Sequence, residues 1–292
     1  MRTTAGYLLY RMMSGLFGLL PESVMRRLGY GLGYALSFVA RDRLRVAERH
    51  MRRVLGPNAD VRRAARRAFA FYGRYWAEIF WVRPRRRDGV VRHTVIEGIE
   101  HLWAARDSGE GFILALPHLG NWEAAGARSA AEGVPVLAVA EALSNPKIVE
   151  WFVRLRRAMN IDIVVAQRGG SVRRRLVERL RGGGTVALLS DRDIKGSGVP
   201  VVFFGEETTI PAGPVAMADR TGTAILPVGT YFKPGRGHHF VVHPPLQLPE
   251  APTREQRVIA GTQRLAKKLE EIIRVAPEQW HLLVPNWPSD RG

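Results

Sequence analysis

Between residues 5 and 40 apolar residues recur at helical spacing with a break at Pro21, a pattern that predicts two helices, either interfacial or packed on a core. Residues 42–82 continue in the same period. Arginines take one face there, and Val46, Met51, Val54 and Leu55, then Phe69, Phe71, Tyr72, Tyr75, Trp76, Ile79 and Phe80, take the other. Gly56-Pro57-Asn58 divides this stretch, and the basic loop Arg83-Pro84-Arg85-Arg86-Arg87 ends it. The period then changes. Short apolar runs at Phe112–Leu116, Val134–Ala140, Ile161–Ala166, Thr185–Ser190, Thr223–Thr230 and Phe240–His243 read as strands. Helical patterns fill the gaps, notably Glu123–Glu132, Pro146–Met159 and Ser171–Arg181, and a last helix runs over Thr253–Val275. Pro214 suits a helix start and Gly222 its end before the next strand. Such alternation predicts an α/β fold, a mostly parallel central sheet flanked by helices, over residues 91–292. Residues 1–90 form a separate helical, basic region.

Charge sharpens the division. The net charge is +17, and residues 1–100 hold 20 Arg and no Lys against eight acidic residues, so most of the excess lies at the amino-terminal end. Nucleic acid and anionic membrane are the two partners such a patch suits. Basic residues here are interleaved with bulky apolar ones, as in Tyr7-Leu8-Leu9-Tyr10-Arg11-Met12-Met13, which favours helices lying in a headgroup layer over a nucleic-acid arm. A solvated basic face on helices packed against the domain is the plainer alternative. The longest apolar candidate, Leu28–Ala40, falls short of the roughly 18–20 residues of a membrane span and lacks the flanks of a signal peptide. The chain has no Cys, which removes disulfides, zinc-thiolate sites and cysteine nucleophiles together.

Candidate chemistry sits at strand ends. In Ala115-Leu116-Pro117-His118-Leu119-Gly120-Asn121-Trp122-Glu123 an apolar strand runs into a turn and then a helix, and the turn holds a histidine with a carboxylate five residues on. The spacing alone would arise by chance about once in a chain of this composition, so the strand-to-helix context carries the argument. Asp191-Arg192-Asp193 likewise follows the strand at residues 185–190. If the two strands are neighbours, Asp191 or Glu123 can bond the far imidazole nitrogen, fix its tautomer and stabilise the imidazolium formed when His118 takes a proton. A loop ion pair between Asp191 and Arg192 is the competing reading. Rival chemistries lack their signatures: there is no Gly-x-Ser-x-Gly elbow, no phosphate loop, and Gly29-Tyr30-Gly31-Leu32-Gly33 has the wrong spacing for a dinucleotide site. His238, His239 and His243 make a poor three-ligand metal site, because on a strand the first points away from the other two. The run Gly198–Gly205, with Phe203 and Phe204, supplies apolar wall for an acyl chain or else core packing.

These residues resemble a known family. Tyr72-Gly73-Arg74-Tyr75-Trp76, Leu116–Glu123, Arg192-Asp193 with Phe203-Phe204-Gly205-Glu206, and Trp280-His281-Leu282-Leu283 look like the pattern of the membrane-associated acyltransferases with a His-x4-Asp/Glu motif, in particular the actinobacterial phosphatidylinositol mannoside acyltransferases. The resemblance implies transfer of a fatty acyl group from acyl-CoA, or an acyl carrier protein, to a sugar hydroxyl of a glycolipid at the cytoplasmic face of the cell membrane, by a peripheral protein with no cofactor beyond that co-substrate. It implies His118 as general base, Glu123 as the motif's acid and Asp191 as the residue assisting the histidine. It also implies Asn121, Glu141, Arg156, Arg192, Phe203 and Phe204 around the substrates. Glu123 is the acid found in lipid A late acyltransferases where the mannoside enzymes have Asp, and Asp191 stands where those enzymes have Glu. A lipid A type acceptor is therefore the alternative within the class, and a non-catalytic basic membrane- or nucleic-acid-binding protein the alternative outside it.

Overall fold

The computed structural model describes residues 2–141, 145–166, 172–194 and 196–291. Four helices open the chain: α1 (Arg2–Leu19), α2 (Glu22–Val39), α3 (Arg41–Leu55) and α4 (Val61–Trp81). The breaks fall where the sequence puts them, at Pro21 and at Gly56, whose φ of 86° ends α3. Asp60 restarts the chain by accepting the Arg63 amide at 3.0 Å. Gly29 and Gly33, one turn apart on α2, lie against Gly73 of α4. A Cβ at Gly33 would collide with the Phe69 carbonyl, and one at Gly73 with the Gly29 carbonyl, so the glycines let the two backbones touch. This explains the glycine run without any nucleotide.

After α5 (Arg87–Arg92) come β1 (Thr94–Glu97), α6 (Ile99–Asp107), β2 (Phe112–Leu116), α7 (Trp122–Ala131), β3 (Val136–Glu141), α8 (Pro146–Ala158) and β4 (Asp162–Ala166). Then follow α9 (Val172–Arg181), β5 (Thr185–Leu189), β6 (Val199–Phe203), β7 (Glu206–Ile210), α10 (Gly213–Thr221), β8 (Ala224–Phe232), β9 (His238–Val242) and α11 (Arg254–Val275). Seven strands form one sheet in the order β1-β9-β8-β2-β5-β3-β4, parallel throughout except where β8 meets β9. Pro214 lies in the first turn of α10, and Gly222 closes that helix at φ 73°.

Two cores sandwich the sheet. Ile113, Ala115, Val186 and Ile225 face Leu44, Met51, Phe69 and Leu265, so the amino-terminal helices share a core with the sheet. Leu114, Leu116, Leu226, Val228 and Phe240 face the other way. Two features depart from the sequence reading. Strand β1 completes the sheet edge beyond β9, and β6 and β7 form a separate antiparallel hairpin. That hairpin turns at Phe204 and Gly205, both at positive φ (51° and 80°), the two-residue geometry that suits strand twist. The strand ends elsewhere differ by two residues or fewer, β9 beginning at His238 rather than Phe240.

Candidate active site

Strands β2 and β5 are parallel neighbours in a register that sets Leu116 opposite Leu189. The ladder continues one step further, where the Ser190 amide donates to the Leu116 carbonyl at 2.9 Å. The chain beyond each strand therefore emerges at one rim, and His118 meets Asp191 there. The Asp191 Oδ1 lies 2.7 Å from His118 Nδ1, and Oδ2 accepts the His118 amide at 3.0 Å and the Trp280 indole N–H at 2.7 Å. Asn286 donates to the Asp191 carbonyl at 3.0 Å. Asp191 is fully buried. Burial by itself raises the carboxyl pKa, but the neighbouring His118 charge, then the hydrogen bonds from the His118 ring, Trp280 and the His118 amide, outweigh it and hold the group below the usual aspartate range. With its Nδ1–H committed to a carboxylate, the neutral ring carries its lone pair on Nε2.

Three neighbours fix the turn that carries His118. Gly120 has φ 58°, and a Cβ there would strike the Thr230 carbonyl of β8. Its amide donates to the Gln279 carbonyl at 3.0 Å, and its carbonyl lies 2.8 Å from His281 Nε2. The His281 amide in turn donates to the His118 carbonyl at 2.7 Å. Residues 279–281 thus lie along the turn like an added strand, with Leu119 bridged to Trp280. Burial lowers the His281 ring to about 4, so it is neutral near pH 7, and its Nδ1 has no protein partner.

Glu123 lies elsewhere. It is in the first turn of α7, where its Oε1 accepts the Tyr75 hydroxyl at 3.1 Å and the Arg156 guanidinium at 2.9 Å, while Oε2 has no partner. The sequence left two acids for the far imidazole nitrogen; Asp191 takes it. Burial, then the Glu123 charge, pushes the Tyr75 phenol far above its usual range. Asn121 caps α7 by accepting the Ala124 amide at 3.0 Å, and its Nδ2 donates to Glu78 Oε2 at 2.6 Å, so its side chain serves the fold.

A cavity of about 640 Å³ opens beside His118 and runs under α7 along the sheet. It follows β3 from Glu141 at the strand's carboxyl end back to Val136, five residue steps and about 17 Å at the usual strand rise. Small side chains leave the space: Ala138, Ala140 and Ala187 on the sheet, with Ala125 and Gly126 on α7. The mouth holds His118, Glu141, Arg43, Arg156 and Arg192, and the walls deeper in are apolar. Its dimensions and lining suit an alkyl chain with a polar head at the histidine end.

Phe203 and Phe204 are a correction. Both are buried away from this cavity, because the β6–β7 hairpin folds onto α11 and the carboxyl-terminal segment. Phe203 stacks on Trp287 with ring centroids 5.7 Å apart, and Phe204 packs on Trp280 at 5.8 Å. Their part is to wedge the indole that holds Asp191. Trp280 is the residue whose role the sequence reading did not assign; its one signal is an indole donor within an otherwise apolar segment next to a histidine. Among the described residues no group of three or more His, Cys, Asp or Glu is placed to hold a metal ion. His238 and His239 diverge, to Glu78 at 2.7 Å and Glu97 at 3.0 Å.

Comparison with known proteins identifies the family. The family model described as bacterial lipid A biosynthesis acyltransferase matches residues 1–289. The phosphatidylinositol mannoside acyltransferase of Mycolicibacterium smegmatis is 36% identical over 98% of this chain and 90% of its own length. The enzyme of the same name from Mycobacterium tuberculosis is 37% identical over 75% of this chain and 68% of its own. A lipid A biosynthesis acyltransferase of Haemophilus influenzae is 24% identical over 63% of this chain and 55% of its own. A family match along nearly the whole chain, joined to relatives above 30% identity, establishes that this protein belongs to the bacterial lipid A biosynthesis acyltransferase family, within the part of it that contains the phosphatidylinositol mannoside acyltransferases.

Proposed function

We propose that this protein transfers a fatty acyl group from acyl-CoA to a sugar hydroxyl of a phosphatidylinositol mannoside, with His118 as general base. The carrying observation is the 2.7 Å contact between His118 Nδ1 and buried Asp191, on a residue that lines the mouth of an alkyl-sized slot. The His118 Nε2 takes the proton of the acceptor hydroxyl as its oxygen attacks the thioester carbonyl. Asp191 stabilises the imidazolium that results. The tetrahedral intermediate collapses with cleavage of the C–S bond, and the thiolate leaves with the proton held on Nε2. No covalent acyl-enzyme forms. Arg156, locked to Glu123, and Glu141 and Arg192 at the mouth are placed to orient the acceptor's hydroxyls.

The amino-terminal helices support docking on an anionic membrane. Leu8, Leu9, Met12, Leu16 and Leu19 line one exposed face of α1, and Val24, Leu28, Leu32, Leu36 and Val39 line one of α2. Arg11, Arg27, Arg41, Arg43 and Arg45 are exposed among them, and Arg43 also lines the slot, linking the docking surface to the site. No helix among the described residues is long and apolar enough to cross a membrane. This arrangement suits a peripheral protein on the cytoplasmic leaflet.

The deciding experiment incubates the protein with labelled palmitoyl-CoA and total membrane lipid, then identifies the product. Label on a mannose of a phosphatidylinositol mannoside supports this reading. Label on an acylated glucosamine disaccharide replaces it with the lipid A acceptor that Glu123 also fits, and no labelled lipid refutes both.

A further inference from the structure

A second cavity, of about 420 Å³, lies on the other side of the Glu123–Arg156 pair. It is enclosed by the carboxyl-terminal half of α4, by α5, by the starts of α2 and α7, by the end of α8 and by the β8–β9 turn. Its character is opposite to that of the slot. The interior holds Glu78, Glu123, Arg156 and His238, and the rim holds Arg85 and Arg92. Because Glu123 and Arg156 line both spaces, one ion pair is their common wall.

Most of the polar groups inside are satisfied by each other. Glu78 binds Arg74 at 2.9 Å and His238 at 2.7 Å, and Glu22 binds Arg26 at 2.6 Å and Arg236 at 2.7 Å. Two are not. Glu123, 5% exposed, leaves Oε2 without a partner, and His238, 8% exposed, leaves Nδ1 without one. A buried polar atom left unmade costs free energy that a ligand hydroxyl recovers. At the rim, Arg85 and Arg92 are exposed and neither forms an ion pair among the described residues, while Asp88 and Glu22 also line the chamber. Burial first, then the like charges of Arg85 and Arg83, depress the pKa of Arg86, with Glu22 acting in the opposite sense. Hydroxyl-seeking groups inside and unpaired cations outside are the complement of a phosphorylated polyol.

We infer that this chamber is a second subsite, which holds an anionic polyol with its hydroxyls on Glu123 and His238 and its phosphate ester against Arg85 and Arg92. The inference rests on the proposed acceptor, whose phosphate and cyclitol adjoin the sugar to be acylated. A headgroup that straddles the shared wall puts its sugar at His118 and its phospho-polyol in the chamber. The same chemistry also arrives as a free polyol phosphate.

Calorimetric titration of the full chain with myo-inositol 1-phosphate, inorganic phosphate and methyl mannoside tests this without catalysis. The phosphorylated cyclitol is expected to bind about tenfold tighter than either of the others, and Arg85→Gln with Arg92→Gln is expected to weaken it about tenfold or more. Gly89→Phe gives an independent check, since Gly89 lines the chamber and an added Cβ meets no atom within 4 Å. It should abolish the titration by filling the space. In steady state the double variant should raise the KM for a vesicle-borne mannoside about tenfold and leave kcat and the acyl-CoA KM unchanged. An unchanged acceptor KM alongside lost binding assigns the chamber to a free polyol phosphate. Equal binding by wild type and both variants, or none by wild type, overturns the inference. Because the titration involves no acyl transfer, an inactive wild type would count against the proposed function alone.

Discussion

Asp191→Asn isolates the imidazole's orientation from every other part of the site. The Oδ2 position faces two N–H donors held in place by the backbone of His118 and the indole of Trp280, so the amide oxygen settles there. The new NH2 then faces His118 Nδ1, 2.7 Å away in the native protein, and requires a lone pair on that nitrogen. The ring answers by carrying its proton on Nε2, where no base remains. An analogous tautomer inversion in hydrolytic triads lowers kcat by about 10⁴-fold, or about 5.5 kcal/mol of barrier. Loss of one buried charge-assisted bond between isosteric side chains costs the fold only about 1–3 kcal/mol. The variant is therefore expected to melt as a folded protein, to bind acyl-CoA and vesicles as before, and to release thiol at about one ten-thousandth of the native rate. Nitrogen-15 spectra of labelled histidine report the tautomer directly. A variant within tenfold of native kcat, or one whose His118 still carries its proton on Nδ1, refutes the reasoning.

Gly73→Val drives a branched side chain into the Gly29 and Gly33 backbones and should cost at least about 3 kcal/mol in urea unfolding; a loss under about 1 kcal/mol would show that α2 does not cross α4 this closely. His281 has a folded pKa of about 4 against an ordinary value of 6.5, so the unfolded state binds the extra proton between these values. Its contribution is full above pH 6.5 and declines as pH falls toward 4 by roughly 3 kcal/mol in total. Urea titrations across that window should show the decline in the native protein and lose that share of it in His281→Gln; identical slopes would contradict the assignment. Replacing Met12, Leu16 and Leu28 with Ser should weaken sedimentation with anionic vesicles at least about 30-fold and spare turnover of a soluble short-chain acceptor; undiminished vesicle binding would remove these faces from the docking surface.

The turn that carries His118 was legible because its signals are local. An apolar strand, a proline, a histidine and a helix start occupy consecutive positions, and Asp191 follows its own strand in the same way. The residues alone left two acids open for the ring, and it was the family resemblance that pointed to Asp191. Glu123 is the nearer in sequence, but the first turn of α7 aims that carboxylate at Tyr75 and Arg156, and the residue that reaches the ring is 73 positions away. Phe203 and Phe204 were ambiguous for a related reason. An apolar run reads the same against a substrate or a core, and the positive-φ turn at Phe204-Gly205, which folds the run onto α11, has an unusual bulky residue at its first position. Strand β1 escaped notice because four residues with Val95 and Glu97 exposed carry little pattern, and only its pairing with β9 defines it. The glycines of α2 lost their meaning in isolation; Gly73, forty residues on, supplies it.

The most direct measurement is a single turnover. Native protein and His118→Ala are each mixed in excess with labelled palmitoyl-CoA and vesicles of phosphatidylinositol mannoside, and thiol release and lipid labelling are followed together. The native protein is expected to release one thiol for each acyl group gained by a mannose, with no label on the protein. His118→Ala is expected to bind both substrates yet transfer at least about 10³-fold more slowly. Transfer by His118→Ala at the native rate, or a labelled acyl-enzyme in the native reaction, would rule out direct transfer with His118 as the base.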